Sequence, residues 1–477
     1  MERNTKKDGR PFGRPYFTMD FKTLLSNGAT LAPEVLLTPD GVKRGMAVKF
    51  DGSRIVGLGP LADFPEATLL PGRAIVPGMV DAHTHVGQIF GKALIGGEPA
   101  QIWRRIWHPM ERDMDEEQSY LSAKWAFWEA LRGGFTKVVN YGLNDITKNS
   151  GVHRAALETG IRLVSACGLD EFSGEIGTGH GNKGWSEIKD VILAHIDHCD
   201  EQEIIKPSVC CSSFMGNTPE TLTKLSSLCA EKGILLQIHS NEHFPEVHEC
   251  ILRYAMRPTE LLHHHGVLGP HVLLHHTTLV SEIEIEMIVE TDTATTYNPL
   301  ASVWKGNAVA PALRFAQRGV RFGIGSDTTS ADGFKNLMAA EACQRIEHGL
   351  PVADFSCGAA WTWVDASTSQ GAEATGAAGD HGALAIGQAA DFIILDMMAP
   401  ECLPSHDFEW ELVRYYNRDQ IDAVVINGHL CMLRGEPIGW DTEDLRREAM
   451  AVSSQITSAP DIVRCHGPSH RYRRSRD

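Results

Sequence analysis

Short apolar runs alternate with longer segments of helical periodicity through the middle of the chain. Short apolar runs predict buried strands, and apolar residues spaced by three and four positions predict helices. The predicted strands cover residues 136–142, 161–170, 233–240, 271–278, 293–299 and 320–327. Strands that alternate with helices over about 300 residues are typical of a parallel (β/α)8 barrel, the TIM barrel of the α/β class.

A different pattern occurs near both ends of the chain. The pattern predicts short strands in residues 45–60, 386–396 and 421–436. The first of these stretches has a turn at an Asp-Gly pair and the last at an Asn-Gly pair. These pieces predict one small β-sandwich domain formed from both chain ends, with the barrel inserted between them. The predicted division is a flexible segment at 1–22, the β-sandwich domain at 23–77 plus 383–440, the barrel domain at 78–382, and a C-terminal helix and tail at 441–477.

The composition of the chain argues against some classes of binding partner. The chain has 477 residues and a net charge of −17, which argues against non-specific binding to nucleic acid or to an anionic membrane. It contains neither an N-terminal apolar signal region nor an apolar run of membrane-spanning length. The eleven cysteines are scattered without a C-x-x-C pair, which indicates a reducing, cytoplasmic setting.

Two histidines follow the apolar run in the stretch AIVPGMVDAHTHVGQIFG, residues 74–91. His83 and His85 are two positions apart, so they lie on the same side of an extended chain and could bind one metal ion together. The alternative is an unremarkable pair of surface histidines. Placement at the C-terminal end of a barrel strand favours the metal, because barrel enzymes build their sites there.

Other metal-binding and proton-transferring groups follow later predicted strands. Glu242 lies three residues beyond His239, close enough to relay protons near a metal. His275 and His276 point to opposite sides of one strand; we expect His275 to face the barrel mouth and His276 to serve packing. Asp327 could cap a helix or act as a metal ligand and base. Three imidazoles and one carboxylate around a divalent ion form a hydrolytic site.

Five motifs in a fixed order resemble the amidohydrolase superfamily, and most closely its aminohydrolase branch. They are PGMVDAHTH, QIHSNEH, LLHHTTL, NPLASVWKGNAVAP and GIGSD. The branch contains cytosine, guanine and S-adenosylhomocysteine deaminases and the triazine hydrolases. The resemblance covers residues 40–440.

The resemblance implies a role for each residue of the predicted site. Asp327 would accept the proton of the attacking water, Glu242 would protonate a ring nitrogen of the substrate, and His275 would orient the water. One Zn2+ per chain, with Fe2+ as the alternative, would be bound by His83, His85, His239 and Asp327. Relatives with two metals carry a bridging lysine at the end of the fourth strand. In IIKPSVCCSSF, Lys206 is instead at the start, which favours one metal and deamination.

The substrate-facing positions depart from the best-known members of the branch. Ser212 stands in place of a histidine, and Ser302 in place of an asparagine. Trp103 stands where relatives carry a tryptophan over the substrate ring, and an indole face suits a planar heterocycle. The predicted substrate-binding residues are Gln88, Gln101, Trp103, Ser212, Ser302 and Ser330.

The resemblance therefore predicts a hydrolytic deaminase that releases ammonia from a small amino-substituted N-heterocycle. The substrate classes are purines, pyrimidines, pterins, triazines and adenine-type nucleosides. One alternative is a hydrolase of the same fold with another leaving group, such as chloride, an alkylamine or a cyclic amide. Another is an inactive scaffold paralogue. The resemblance also predicts a homodimer or higher homo-oligomer.

Overall fold

The computed structural model describes residues 20–25, 28–98, 102–142, 146–168, 170–172, 183–200 and 202–465. Its strands form two sheets. The first five strands are β1 Ala29–Thr38, β2 Gly41–Lys43, β3 Met46–Asp51, β4 Arg54–Pro60 and β5 Thr68–Pro77. The next eight are β6 Met79–Thr84, β7 Phe135–Asn140, β8 Arg162–Gly168, β9 Ile205–Cys211, β10 Leu235–Ser240, β11 Val272–His276, β12 Ala294–Tyr297 and β13 Phe322–Ile324. The last four are β14 Phe392–Asp396, β15 Ile421–Ile426, β16 His429–Leu433 and β17 Glu436–Pro437.

Strands β6 to β13 form the barrel. Each strand pairs in parallel with the next one along the chain. The end of β13 returns to β6, where the backbone N–H of Asp327 donates to the carbonyl of His83 at 2.9 Å. The predicted TIM barrel is confirmed. The strand predicted at 320–327 is shorter than expected, because the chain leaves the extended conformation by Asp327, whose φ is +47°.

The other nine strands form one sheet, in the order β17-β16-β15-β14-β5-β1-β3-β4, with β2 paired to β1. Both predicted hairpins occur: β3 pairs antiparallel with β4, and β15 with β16. The two chain ends meet where β14 pairs antiparallel with β5. Buried side chains including Leu31, Phe50, Ile75 and Phe392 give this sheet a core of its own. The expected small β domain from both chain ends is therefore confirmed.

The exact residue boundaries of the domains stay a prediction. Residues 1–19, within the predicted flexible segment, lie outside the described residues, as do residues 466–477 of the predicted tail. The predicted C-terminal helix corresponds to Thr442–Ile456. Gly78 joins the two sheets between β5 and β6, and a Cβ there would lie 2.2 Å from the side chain of Thr136. Only glycine fits this junction without displacing that side chain.

Helices cover the barrel and follow its strands. The α-helices are α1 Phe21–Leu24, α2 His108–Arg112, α3 Glu116–Arg132, α4 Ile146–Thr159, α5 Trp185–Asp200, α6 Ser213–Gly216, α7 Pro219–Lys232, α8 Phe244–Tyr254, α9 Pro258–His264, α10 Glu282–Glu290, α11 Pro299–Lys305, α12 Ala312–Arg318, α13 Gly333–Gln344, α14 Ala360–Ser367, α15 Ser369–Ala374, α16 Phe408–Arg414 and α17 Thr442–Ile456. Among the described helices, none combines the length and apolarity needed to cross a membrane.

Candidate metal centre and active site

Four barrel strands place imidazoles and carboxylates together at the barrel mouth. His83 and His239 lie one residue before the ends of β6 and β10. His276 is the last residue of β11, and Asp327 follows β13. The nearest nitrogens of His83 and His85 each lie 3.5 Å from Oδ1 of Asp327. Ligand atoms of His83, His85 and His239 also lie within 4.8 Å of one another. The predicted ligand residues therefore meet at one point, and they could hold a metal ion.

The state of His83 fits a metal ligand. Its side chain is fully buried, yet neither ring nitrogen has a hydrogen-bond partner. Buried polar atoms nearly always have a hydrogen-bond partner, so two unpaired nitrogens on a buried imidazole favour a metal ion as the missing partner. Ligands about 2.0–2.2 Å from a tetrahedral ion are roughly 3.3–3.6 Å apart, as His83 and Asp327 are. The donor set of imidazole nitrogens and a carboxylate suits zinc and iron.

Asp327 is held as a carboxylate by neighbouring positive charge. Burial alone raises its pKa, but the ammonium of Lys305, which also donates a hydrogen bond to the carboxylate, outweighs this and holds the pKa of Asp327 below its usual range. Nζ of Lys305 donates to Oδ2 of Asp327 at 2.5 Å. Burial lowers the pKa of His85 to about 3, so its ring is neutral near pH 7 and its nitrogens are available as ligands.

Glu242 lies beside the ligand group and is fixed by several contacts. Oε1 of Glu242 accepts a hydrogen bond from Nδ2 of Asn307 at 2.8 Å and lies 3.5 Å from Nε2 of His276. The Glu242 backbone N–H donates to Glu246, and its carbonyl accepts from the Thr278 hydroxyl. Burial raises the pKa of Glu242, but the imidazole of His243, whose Nε2 lies 3.1 Å from Oε1, outweighs it and holds the pKa well below its usual range.

The prediction for the two adjacent histidines is wrong, because His276, not His275, faces the mouth. Nε2 of His275 donates to Oε1 of Gln237 at 3.0 Å, and its other nitrogen lies 3.3 Å from the hydroxyl of Thr296. His275 is thus bonded inside the barrel, below the cavity. His276 lines the cavity, with Nε2 3.8 Å from Oδ2 of Asp327. The strand ends at His276, where φ is +70°.

A cavity of about 410 Å³ opens above the ligand group. Three of the predicted substrate-binding residues, Gln88, Trp103 and Ser212, line its wall. Trp103 begins a π-helical turn that ends at Trp107, and both indoles face the cavity. Substrate contact by these residues remains a prediction.

Two other predicted substrate-binding residues do not line this cavity. Ser302 lies on α11, and its hydroxyl donates to the carbonyl of Ala308 at 2.8 Å. Ser330 is buried, and its carbonyl accepts a hydrogen bond from Asn336. Nothing in the described part of the cavity wall supports substrate contact by Ser302 or Ser330, and their role stays a prediction. Gln101 lies outside the described residues.

Several cavity residues were not predicted. Tyr141 follows β7, its hydroxyl donates to the carbonyl of Cys211, and its ring centroid lies 4.3 Å from that of His239. A signal for Tyr141 existed in its position near the C-terminal end of the strand predicted at 136–142. Lys305 and Asn307 belong to the motif NPLASVWKGNAVAP, which the family resemblance identified. The motif alone does not show which of its side chains face the barrel mouth. Glu111 also lines the wall, and burial raises its pKa to about 7.

The family of this chain follows from a match to a model of a protein family. The model for the amidohydrolase family matches residues 74–431, which is most of the chain. The chain belongs to the amidohydrolase family. The family expected from the five motifs is thus confirmed.

Named relatives of this amidohydrolase align along most of its length. It is 27% identical over 419 residues to a 5-methylthioadenosine/S-adenosylhomocysteine deaminase of Syntrophobacter fumaroxidans, covering 86% of this chain and 92% of the relative. It is 25% identical over 456 residues to a 5'-deoxyadenosine deaminase of Methanothermobacter thermautotrophicus, covering 92% and 100%.

Solved structures share the fold of this amidohydrolase. An adenosine deaminase from Xanthomonas campestris with bound zinc matches with a TM-score of 0.80 and 21% identity, over 90% of this chain and 98% of the other. An atrazine chlorohydrolase from Arthrobacter aurescens complexed with zinc matches with a TM-score of 0.78 and 19% identity, over 89% and 100%. These likenesses support the assignment of the fold.

Proposed function

We propose that this amidohydrolase is a metal-dependent hydrolytic deaminase of a small amino-substituted N-heterocycle. Adenine-type nucleosides are the first substrates to test, because the aligned relatives are named as deaminases of such nucleosides. The observation that carries the proposal is the position of Glu242, whose carboxylate lies beside the ligand group and within the cavity. A deaminase needs a proton carrier at that place.

One Zn2+ at the barrel mouth of each chain is the proposed catalytic metal, with Fe2+ as the alternative, held by His83, His85, His239 and Asp327. When bound, such an ion acts as a Lewis acid that makes water nucleophilic near neutral pH. Lys206 is the second residue of β9 and exposed, at the opposite end of the strand from Cys211 at the cavity wall. This placement supports one metal, because no lysine at the end of β9 is available to bridge two.

Glu242 moves protons between the attacking water and the substrate in this proposal. Its ionised carboxylate accepts a proton and returns it to a ring nitrogen, which makes the amino-bearing carbon electrophilic. The same carboxyl then helps the amino group leave as ammonia. Asn307 keeps Oε1 of Glu242 in place. Asp327 remains ionised to accept the second proton that the attacking water loses, which the amino group needs to leave as ammonia.

His276 takes the orienting role that sequence alone gave to His275. Nδ2 of Asn298 donates to Nδ1 of His276 at 3.1 Å, so the proton of the neutral ring resides on Nε2. That N–H points between Glu242 and Asp327 and can donate to the oxygen that attacks the substrate.

The variants His276→Asn and His275→Asn distinguish the catalytic role proposed for His276 from the structural role proposed for His275. His276→Asn should lower kcat by about 10²–10³-fold, the usual effect of losing a donor aimed at the reacting oxygen. His275→Asn should retain most of its rate but lose about 1–3 kcal/mol of unfolding free energy, because the bonds to Gln237 and Thr296 are buried. Steady-state rates and urea unfolding measure both. Equal kinetic losses with equal metal content would contradict the assignment.

The proposed activity is tested by ammonia release from zinc-loaded protein. The panel contains adenosine, 5'-deoxyadenosine, 5'-methylthioadenosine, S-adenosylhomocysteine, aminopyrimidines, pterins and chloro- and aminotriazines. We expect ammonia from at least one adenine nucleoside. Chloride or alkylamine release without ammonia would instead support a hydrolase with another leaving group. No product from any compound, with metal bound, would overturn the proposed substrate class.

The assembly and location remain predictions. A homodimer or higher homo-oligomer is expected from the family resemblance, and size-exclusion chromatography with light scattering tests it. The cytoplasmic setting is inferred from the scattered cysteines.

A further inference from the structure

Two helices of the outer layer bring a second set of potential metal ligands together, away from the barrel mouth. His153 lies on α4, and His195 and Cys199 lie on α5. The spacing of four between His195 and Cys199 puts both side chains on one face of α5. One nitrogen from each histidine and Sγ of Cys199 lie within 4.8 Å of one another. All three side chains are buried, and His195 and Cys199 are fully so.

The separations are close to those around a bound transition metal. Sγ of Cys199 lies 4.0 Å from Nδ1 of His195, the ring nitrogen that does not bond to Ser165, and the ring of His153 reaches within 3.9 Å of the same sulfur. A tetrahedral zinc with bonds of about 2.3 Å to sulfur and 2.0–2.1 Å to nitrogen holds those two ligand atoms about 3.5 Å apart. Small rotations of the side chains would complete the ligand geometry.

Ser165, on β8, provides the orienting contacts that metal-binding histidines need. Its carbonyl accepts a hydrogen bond from Nε2 of His195 at 2.9 Å, and its hydroxyl lies 2.8 Å from Nε2 of His153. Histidine ligands usually donate their second ring N–H to a carbonyl or a similar acceptor. With Nε2 of His195 donating, its Nδ1 is unprotonated and lies 4.0 Å from the sulfur.

A second observation points to an occupant for this cluster. Nδ1 of His153 is buried without a hydrogen-bond partner, although the side chain is only 4% exposed. A purely structural polar cluster would be expected to satisfy this atom. The exposed His198 stacks on His153 with ring centroids 4.9 Å apart, at the solvent side of the cluster. This gives an ion a short path from solvent.

We propose that His153, His195 and Cys199 form a second metal site, structural rather than catalytic, for a thiolate-binding ion such as Zn2+ or Cu+. Binding forms a metal–sulfur bond, and the thiol proton is released to solvent. The fourth position is open to water or to the ring of His198. The bound ion would tie α4 to α5, the helices that follow β7 and β8.

Metal analysis of the full-length protein tests this proposal independently of the deaminase activity. Zinc-loaded wild type should hold two zinc ions per chain, and Cys199→Ser should hold one while keeping its ammonia release. Cys229→Ser is the matched control, because Cys229 is equally buried on α7 and is absent from every described ligand cluster. It should still hold two. One zinc in wild type, or two in Cys199→Ser, would overturn the proposal.

A measurement on wild type alone covers the case in which Cys199→Ser does not fold. Zinc X-ray absorption should show a sulfur shell at about 2.3 Å, which the nitrogen and oxygen ligands of the barrel mouth do not supply. Cobalt-loaded protein should show thiolate-to-cobalt charge transfer that survives His239→Ala. A purely nitrogen and oxygen environment in both measurements would overturn the proposal.

Discussion

Replacing His239 with alanine is expected to remove the metal from the barrel mouth and to lower the rate of ammonia release by at least about 10⁴-fold. The reason is the large gap between the pKa of free water, about 15.7, and the value near 7 reached by water activated at a catalytic zinc. His239 lies among the imidazoles of His83 and His85. Its loss removes one of the three imidazoles of that group.

The measurement is zinc content together with kcat/KM, made in a Cys199→Ser background so that only the barrel-mouth site is counted. His264→Ala is the control. His264 is an exposed histidine in the run His263 to His265, and its loss should change neither quantity. A His239→Ala protein that keeps one zinc and a rate within about tenfold of its parent would refute the ligand assignment.

Changing Glu242 to glutamine should lower kcat by about 10²–10⁴-fold while the zinc content stays constant. Glutamine has nearly the shape of glutamate and still offers an oxygen to Nδ2 of Asn307, so the local structure should persist. What is lost is the ability to accept and return a proton. The change separates the proton carrier from the metal ligands, because only a ligand substitution should alter both rate and metal content.

The matched control for Glu242→Gln is Glu249→Gln. Glu249 also lines the cavity, but it lies outside every described ligand group, so its variant should retain nearly the parental kcat. Single-turnover ammonia release measures the chemical step directly. If Glu242→Gln were as fast as Glu249→Gln, the proton-transfer role would have to move to another residue.

The meeting of the metal ligands could be predicted because it depends on simple geometry. A strand period of two puts His83 and His85 on one side, and the C-terminal ends of parallel barrel strands meet at one mouth. His239 and Asp327 follow from the same rule. No detailed packing information is needed for these residues, since any closed barrel with this strand order brings them together.

The error at His275 and His276 has the same physical origin. A one-residue shift in strand register exchanges every side chain between the two faces. His275 pairs in register with His239 on the neighbouring strand, yet its ring bonds to Gln237, one layer deeper in the barrel. Two adjacent histidines leave the choice open, because either could face the mouth until the end of the strand is known.

Residues of short helices and loops at the barrel mouth were the hardest to predict, because the sequence period is too short there to fix which side chains face the cavity. Within α11, Trp304 is 46% exposed, whereas the side chain of Lys305 is 10% exposed and reaches Asp327. The helix ends at Gly306, whose φ of +74° turns the chain and brings Asn307 to Glu242. The rotation of so short a helix depends on tertiary contacts, which a single sequence does not reveal.

Closure of the barrel also determines when the site can exist. The backbone N–H and hydroxyl of Ser326 donate to the carboxylate of Asp81, across 245 residues of chain, and Thr328 bonds the backbone of His85. The contacts that seal the last strand to the first are thus made by immediate neighbours of the ligands. At 5–20 residues per second, a ribosome needs roughly 12–50 s to make the intervening chain. The nascent protein therefore carries an incomplete ligand set throughout that interval, and the site assembles only when the barrel closes.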